Sequence, residues 1–225
     1  VPTFDILRHS VPSESWRAAK VRSQYDIRGK RIEERFVGEL PLPQEWQIGV
    51  ITGRSGTGKT TLARELWPEA YVTSYQWQAA SVIDDFETTD DVGLFKMLHR
   101  VGFGSIPSWL KPYSVLSQGE QMRINLARAL LDERLLIVFD EFTSTVDRTV
   151  AQFACRAVRK AIEATGKQMI VVSCHDDFIP WLQPDWVFST DDMEMKKKTT
   201  RGQSCSWTST KQAQRCGPCF ASITI

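Results

Sequence analysis

The sequence predicts an α/β fold with a mainly parallel core sheet, and three observations carry that prediction. Three short, continuously apolar runs alternate with helical stretches: Ile48-Gly49-Val50-Ile51-Thr52, Leu135-Leu136-Ile137-Val138-Phe139 and Met169-Ile170-Val171-Val172-Ser173. Strands apolar at nearly every position are buried on both faces, as in a parallel sheet covered by helices. The first run leads straight into Gly53-Arg54-Ser55-Gly56-Thr57-Gly58-Lys59-Thr60, which fits the phosphate-loop pattern G-x-x-x-x-G-K-[ST]. The second run ends at the acidic pair Asp140-Glu141.

Taken in order, the segment from Val1 to Ile48 mixes short apolar runs with many basic residues and closes on Pro41-Leu42-Pro43, a turn before the first strand. A helix follows the glycine-rich loop from Thr60 to Leu66, and Pro68 ends it. Tyr71-Val72-Thr73-Ser74-Tyr75 has the aromatic and β-branched content of a strand. Ser81 to Pro112 reads as helix and loop, with Phe95, Leu98 and Val101 at helical spacing and Gly102, Gly104, Pro107 and Pro112 as punctuation. From Gly119 to Leu131 a helix gathers Met122, Leu126, Ala129 and Leu130 on one face. Another spans Thr149 to Ala164, and Gly166 stops it. Beyond Asp192 the pattern fades into a Lys run, 196–198, and a Ser/Thr/Gln/Cys-rich tail. Residues 193–225 are expected to be disordered, or a non-native extension, because so little apolar surface cannot offset the entropy of ordering.

Composition narrows the classes. A chain of 225 residues suits one domain with a substantial core. Its formal net charge of +1 gives no global steering toward nucleic acid or anionic lipid. No apolar run approaches the roughly 18 residues of a membrane helix. No secretory signal is visible at Val1-Pro2-Thr3-Phe4-Asp5, so a cytoplasmic location is expected, and any membrane part must come from another chain. The five cysteines fit a reducing compartment. Cys155 and Cys174 read as buried thiols, and Cys216-Gly217-Pro218-Cys219 copies a redox dithiol without the surrounding fold that chemistry requires. The basic cluster Arg17, Lys20, Arg22, Arg28, Lys30, Arg31 and Arg35 is interrupted by Asp26, Glu33 and Glu34, which leaves nucleic-acid binding open.

In a phosphate loop the glycines let backbone N–H groups turn toward phosphate oxygens, and the next helix adds its positive end. Gly53, Ser55, Gly56 and Gly58 would shape that cradle, Lys59 would reach the terminal phosphates, and Thr60 would place its hydroxyl on Mg²⁺, beside Thr61. Adjacent residues of an extended chain point to opposite sides. Asp140 can therefore serve the metal while Glu141 polarises an attacking water.

Leu116-Ser117-Gln118-Gly119-Glu120 resembles the signature peptide, LSGGQ-like, of the ATP-binding cassette (ABC) family. The resemblance spans roughly Val21 to Asp192 and keeps the family's motif order, with Gln118 and Glu120 where the commonest version has Gly and Gln. It implies a P-loop NTPase fold of ABC type across residues 1–192, with a reduced helical subdomain over about 79–131. It further implies ATP and Mg²⁺ as cofactors, ATPase activity, and a head-to-tail homodimer closing on two ATP molecules. Ser117 and Gly119 would then contact the γ-phosphate held by the other chain, with Asp147 at the D-loop position and His175 at the switch position. The adenine-stacking aromatic falls on Tyr25, with Phe36 as the rival. The Q-loop glutamine, a further metal contact, falls on Gln78 or Gln76. His9 and His99 keep ordinary structural readings. Asp140 to Arg148 and Trp181 to Val187 look closest to soluble ABC-type ATPases that occur fused to an acetyltransferase-like domain, and this sequence shows no such second domain.

The function expected on this basis is ATP-driven conformational change in an unidentified protein partner. The rivals are the ATP-hydrolysing subunit of an ABC transporter, a small-molecule kinase, which has no use for residues 116–120, and an ATP switch acting on nucleic acid.

Overall fold

Residue by residue, the alternation along the strands sorts side chains to two faces of one sheet. The computed structural model describes Val1 to Cys216 apart from positions 12, 27–31, 73–74, 144–145, 202–203 and 212, with backbone alone at 8–10, 32–34 and 198–216. Within the described residues the order is β1 (Thr3–Ser10), α1 (Trp16–Gln24), β2 (Ile32–Glu39), β3 (Ile48–Thr52), α2 (Lys59–Leu66), β4 (Tyr71–Val72), α3 (Asp91–Arg100), α4 (Ile106–Trp109) and α5 (Gln118–Leu131). It continues with β5 (Leu136–Phe139), α6 (Arg148–Thr165), β6 (Gln168–Ser173), α7 (Ile179–Leu182), β7 (Trp186–Ser189), β8 (Glu194–Arg201), β9 (Ser204–Lys211) and β10 (Ala213–Cys216).

The main sheet has seven strands in the order β4-β5-β6-β3-β7-β8-β9. From β4 to β7 every pairing is parallel, while β8 and β9 join antiparallel at one edge. A separate three-stranded antiparallel sheet runs β1-β2-β10. On one face of the main sheet Ile48, Val50, Ile137, Phe139, Met169, Val171 and Val187 pack with α3, α5 and α6. The other face carries Ile51, Val138, Ile170, Val172, Trp186 and Phe188 against α2 and against Phe4, Ile6 and Phe36 of the small sheet. This period of two explains why each strand reads as continuously apolar: both of its faces are covered.

Trp186, fully buried, shows how tightly that second face is filled. It lies opposite Gly49 in the β3–β7 register. A Cβ on Gly49 would stand 2.0 Å from the indole, so only glycine lets the ring lie across β3. Trp46 meets the same indole edge-on at 5.4 Å, and Trp67 stacks on it at 6.5 Å.

Helix ends follow local chemistry. Asp90 caps α3 by accepting from the Gly93 N–H. Ser117 and Glu120 form a reciprocal capping box at the start of α5. Asp147 accepts from the Thr149 and Val150 N–H groups at the start of α6, and Gly166, left-handed at φ +67°, ends it. Helices α3 to α5, with single 3-10 turns at Val82–Asp85 and Tyr113–Val115, occupy the stretch expected as a helical subdomain.

Several expectations are corrected. Of the strand expected from Tyr71 to Tyr75, β4 covers Tyr71 and Val72, which pair with β5; positions 73–74 lie outside the described residues, and Tyr75 is not in a strand. Phe95 is 41% exposed and stacks on Trp109, while Leu98 and Val101 are buried as expected. Cys155 is buried, and its thiol is pushed up to about 12 by desolvation. Cys174, by contrast, is exposed, because it lies past the last residue of β6. The core does not stop at Asp192: Met193 and Met195 are buried against Trp186 and Phe188. Strands β8 to β10 then run through the tail where composition suggested no order, because β7 offers β8 an open edge and β2 offers β10 another. Residues 217–225, including Cys219 of the dithiol-like motif, lie outside the described residues.

Candidate functional site

Parallel strands deliver their following loops to one edge of a sheet, and in open α/β folds that carboxyl edge is where ligands bind. Here the edge collects the glycine-rich loop after β3, the acidic turn after β5 and the His175 turn after β6. Because β6 lies between β3 and β5, His175 leaves the sheet between the other two. Its carbonyl accepts from the Thr52 hydroxyl at 3.4 Å, and its N–H donates to Ser173 Oγ at 3.2 Å, leaving the imidazole exposed.

The loop is shaped by backbone that side-chain-bearing residues rarely adopt, with φ of +148° at Gly53, +83° at Gly56 and +91° at Gly58. A Cβ at Gly53 would also stand 2.2 Å from Thr190 Oγ1. Lys59 opens α2 and is only 9% exposed, and its ammonium donates to the Gly53 and Arg54 carbonyls, each at 2.7 Å. Thr57 and Thr190 share a hydroxyl–hydroxyl hydrogen bond of 2.6 Å. Asp191 accepts from the Arg54 N–H at 3.0 Å and pairs with its guanidinium at 3.3 Å. A cavity of about 460 Å³ adjoins the loop on this side, lined by Gly53, Arg54, Cys174, Asp176, Ser189 and Asp191 among others.

The acidic turn faces the other side of the loop. Asp140 Oδ2 accepts from the Thr60 hydroxyl at 2.8 Å and also from the Tyr71 hydroxyl, and Oδ1 accepts from the Glu141 N–H at 2.8 Å. The structure therefore brings the loop's threonine and the strand-end aspartate into direct contact. Glu141 and Thr143 both have positive φ, +56° and +63°, uncommon for residues with side chains and found where surrounding packing enforces them. Phe142, between them, is fully buried and its N–H donates to the Val172 carbonyl at 3.1 Å, while the Glu141 side chain is exposed. Tyr71 was not singled out by its sequence context. Burial and then the Asp140 carboxylate push its hydroxyl up to about 12.

Ser117 lies at the exposed start of α5 and hydrogen-bonds Glu120 of its own helix. Those bonds hold the Glu120 carboxyl below its usual range. Gly119 neighbours Arg123 and Val150, so the starts of α5 and α6 are adjacent. Arg148, next to Asp147, pairs with Asp177, tying the start of α6 to the turn after His175.

Tyr25 is 64% exposed at the end of α1, whereas Phe36 is buried and shares a small hollow with Thr57, Gly58 and Thr61. Gln76 and Gln78 are both exposed. The Gln76 carbonyl accepts from Arg128, and the Gln78 N–H donates to Asp85. The described residues contain no cluster of three or more His, Cys, Asp or Glu able to hold a metal ion. No helix among them is long and apolar enough to cross a membrane.

No protein-family model matches the chain. Among curated proteins, it is 29% identical over 152 residues to the inner membrane ABC transporter ATP-binding protein YddA of Escherichia coli, covering 57% of this chain and 27% of that one. It is 31% identical over 140 residues to an uncharacterized ABC transporter ATP-binding protein of Haemophilus influenzae, covering 47% and 55%. The chain thus spans about half or less of the length of these relatives. Among solved structures, the dimeric form of MJ0796, a bacterial ABC transporter cassette, superposes with a TM-score of 0.54 at 15% identity, covering 66% of this chain and 83% of that one. A dimeric post-hydrolysis state of MJ0796 bound to ADP and Pi matches with the same TM-score of 0.54. The ABC resemblance drawn from the motifs is borne out by these relatives, and the chain carries the P-loop fold of an ABC-type ATPase cassette.

Proposed function

We propose that this chain binds ATP with Mg²⁺ and hydrolyses it, two copies closing head to tail around two nucleotides to drive a conformational change in a protein partner. The observation that carries the reading is the 2.8 Å contact between Thr60 and Asp140, which joins the phosphate loop to the acidic strand end. A hydroxyl and a carboxylate are the hard oxygen donors that Mg²⁺ takes, so the residues present fit the ion. When bound, Mg²⁺ supplies charge neutralisation at the transferring phosphoryl group.

The protein groups divide the remaining work. Lys59 offers its ammonium to the terminal phosphates in place of two backbone carbonyls. Gly53, Ser55, Gly56, Gly58 and Thr61 form the loop around them. Glu141, on its strained turn, accepts a hydrogen bond from the attacking water and orients it. His175 stands between loop and turn, where its imidazole can contact the γ-phosphate. Ser117 and Gly119 serve the other chain's nucleotide. This is supported by Ser117's exposure and by bonds that stay within its own helix, and the dimeric neighbours have the same fold. Asp147 caps α6 beside that interface, Gln78 completes the metal's surroundings, and Tyr25 stacks on adenine.

A second reading makes the partner an ABC transporter's membrane subunit, with the chain working at the cytoplasmic face. It is favoured by the relatives' descriptions and by Val92, Phe95, Ile106 and Leu110, apolar yet exposed in the helical subdomain. Fluorescent-ATP binding and phosphate release, each with Mg²⁺ and with EDTA, test the common core. Capture of a native partner, from membranes or from the soluble fraction, with and without nucleotide, separates the two readings. A chain that neither binds ATP nor releases phosphate overturns both.

A further inference from the structure

We propose that Tyr71 is a positioning residue for the metal-binding carboxylate: its hydroxyl holds Asp140 Oδ2 in the orientation that serves Mg²⁺. The proposal rests on the reading of Asp140 given above and adds a residue that none of the motifs contains.

The geometry points to Tyr71 in three ways. First, Asp140 Oδ2 accepts two hydroxyls, Thr60 and Tyr71, while Oδ1 accepts the Glu141 N–H. A hydroxyl coordinates a cation through an oxygen lone pair and keeps its O–H for the carboxylate, so of the two donors Thr60 is the one that the ion would share and Tyr71 the one directed at Asp140 alone. The Tyr71 bond is free to persist. Second, Tyr71 is itself fixed. It lies opposite Val138 in the β4–β5 register, two residues before Asp140, and the Val138 N–H donates to the Ala70 carbonyl at 2.9 Å. Third, the Arg64 guanidinium lies 4.8 Å from the centre of the Tyr71 ring. Arg64 stands four residues after Thr60 on α2, and residues at that spacing share a helix face. One face of the phosphate-loop helix therefore contacts Asp140 through Thr60 and braces Tyr71 through Arg64. A two-residue strand at the sheet's edge gains from this a reason to carry a largely buried tyrosine with its hydroxyl aimed at a carboxylate.

The test uses the full chain and Tyr71→Phe, which removes one oxygen and keeps the ring beneath Arg64. Binding of a fluorescent ATP analogue is followed while Mg²⁺ is titrated from an EDTA baseline. In Tyr71→Phe the Mg²⁺ concentration giving half the effect is expected to rise about tenfold, as for a lost hydrogen bond to a charged group. Affinity in EDTA is expected to stay within about twofold of the parent, because uniform damage to the fold would lower both. In an Asp140→Asn background the same substitution is expected to add nothing, since the partner it positions is gone. A parent that responds to Mg²⁺ beside a Tyr71→Phe chain with unchanged or tighter Mg²⁺ dependence overturns the role of Tyr71 alone. A parent indifferent to Mg²⁺ overturns the metal reading of Asp140 and the Tyr71 role with it. If Tyr71→Phe does not fold, Arg64→Met carries the test, with a smaller rise in the same direction expected and an unchanged Mg²⁺ response overturning the brace.

Discussion

Trp77 donates its indole N–H to Asn125 Oδ1 at 2.9 Å, fastening the segment after β4 to the middle of α5. Asn125 in turn donates from Nδ2 to the Tyr113 hydroxyl at 2.8 Å, and the Trp77 and Tyr113 rings stack in parallel at 5.2 Å. Arg128, one turn on, lies 4.8 Å from the Trp77 ring centre and donates to the Gln76 carbonyl at 2.7 Å. The helix headed by Ser117 and the segment holding Gln76 and Gln78 are therefore joined by polar and aromatic contacts together. Asn125→Leu removes both amide bonds and leaves the half-buried indole N–H and the Tyr113 hydroxyl without this partner. A loss of about 1–3 kcal/mol in urea unfolding is expected. A variant as stable as the parent would mean water satisfies both groups.

Lys59→Ala is expected to abolish ATP binding. Arg54 is exposed and pairs with Asp191, whereas the buried Lys59 is the loop cation that the proposed function assigns to the terminal phosphates. Losing one such electrostatic contact lowers rate by about 10²–10³-fold. Titration with fluorescent ATP checks it, and affinity within about twofold of the parent would contradict a tenfold-scale electrostatic role for this ammonium.

Glu141→Gln keeps size and most hydrogen bonding while removing the charge to which the proposed mechanism gives the polarising of water. Retained ATP binding with turnover lowered about 10²-fold is expected, measured as phosphate release. This variant is also expected to shift to dimer with Mg-ATP in light scattering, and adding Ser117→Arg to abolish the shift by bulk at the phosphate. A mixture of Lys59→Ala and Ser117→Arg chains can rebuild one intact site per heterodimer, so partial activity should return. Persistent inactivity of the mixture counts against the head-to-tail arrangement.

Gly49→Ala tests packing far from the chemistry. The added methyl meets the buried Trp186 ring, which Trp46 and Trp67 hold from two sides. A destabilisation of about 1–3 kcal/mol is expected, read from thermal or urea unfolding, with wild-type stability showing that the indole can shift.

Much of the central fold was legible because its strands and helices carry local signals. Strand β3 was read at Ile48–Thr52 as observed, and α2, β5, α5, α6 and β6 within a residue or two at their ends. Met122, Leu126, Ala129 and Leu130 are all buried, as their spacing implied. What escaped was non-local. In β1, Phe4 and Ile6 alternate with polar residues and face the core, but so short a pattern amid basic residues gave no clear strand. Tyr71 looked like an ordinary strand aromatic, because its link to Asp140 spans 69 residues. Cys174 was misplaced because an apolar run says where a strand lies and little about the first residue beyond it. Strands β8 to β10 were not legible because strand pairing depends on partners elsewhere in the chain, which composition does not encode.

Lys59 also bears on how quickly the site can work. Its ammonium is already seated on the Gly53 and Arg54 carbonyls, so the loop keeps its curve through contacts of its own. An arriving anion exchanges partners at one nitrogen instead of ordering a slack segment, which spares it the entropy of loop folding. Stopped-flow association would then be a single phase whose rate climbs linearly with nucleotide concentration. A plateau at high concentration would instead reveal a slow rearrangement gating entry. A loop held ready in this way leaves the slow step of a turnover cycle to be sought outside the loop itself.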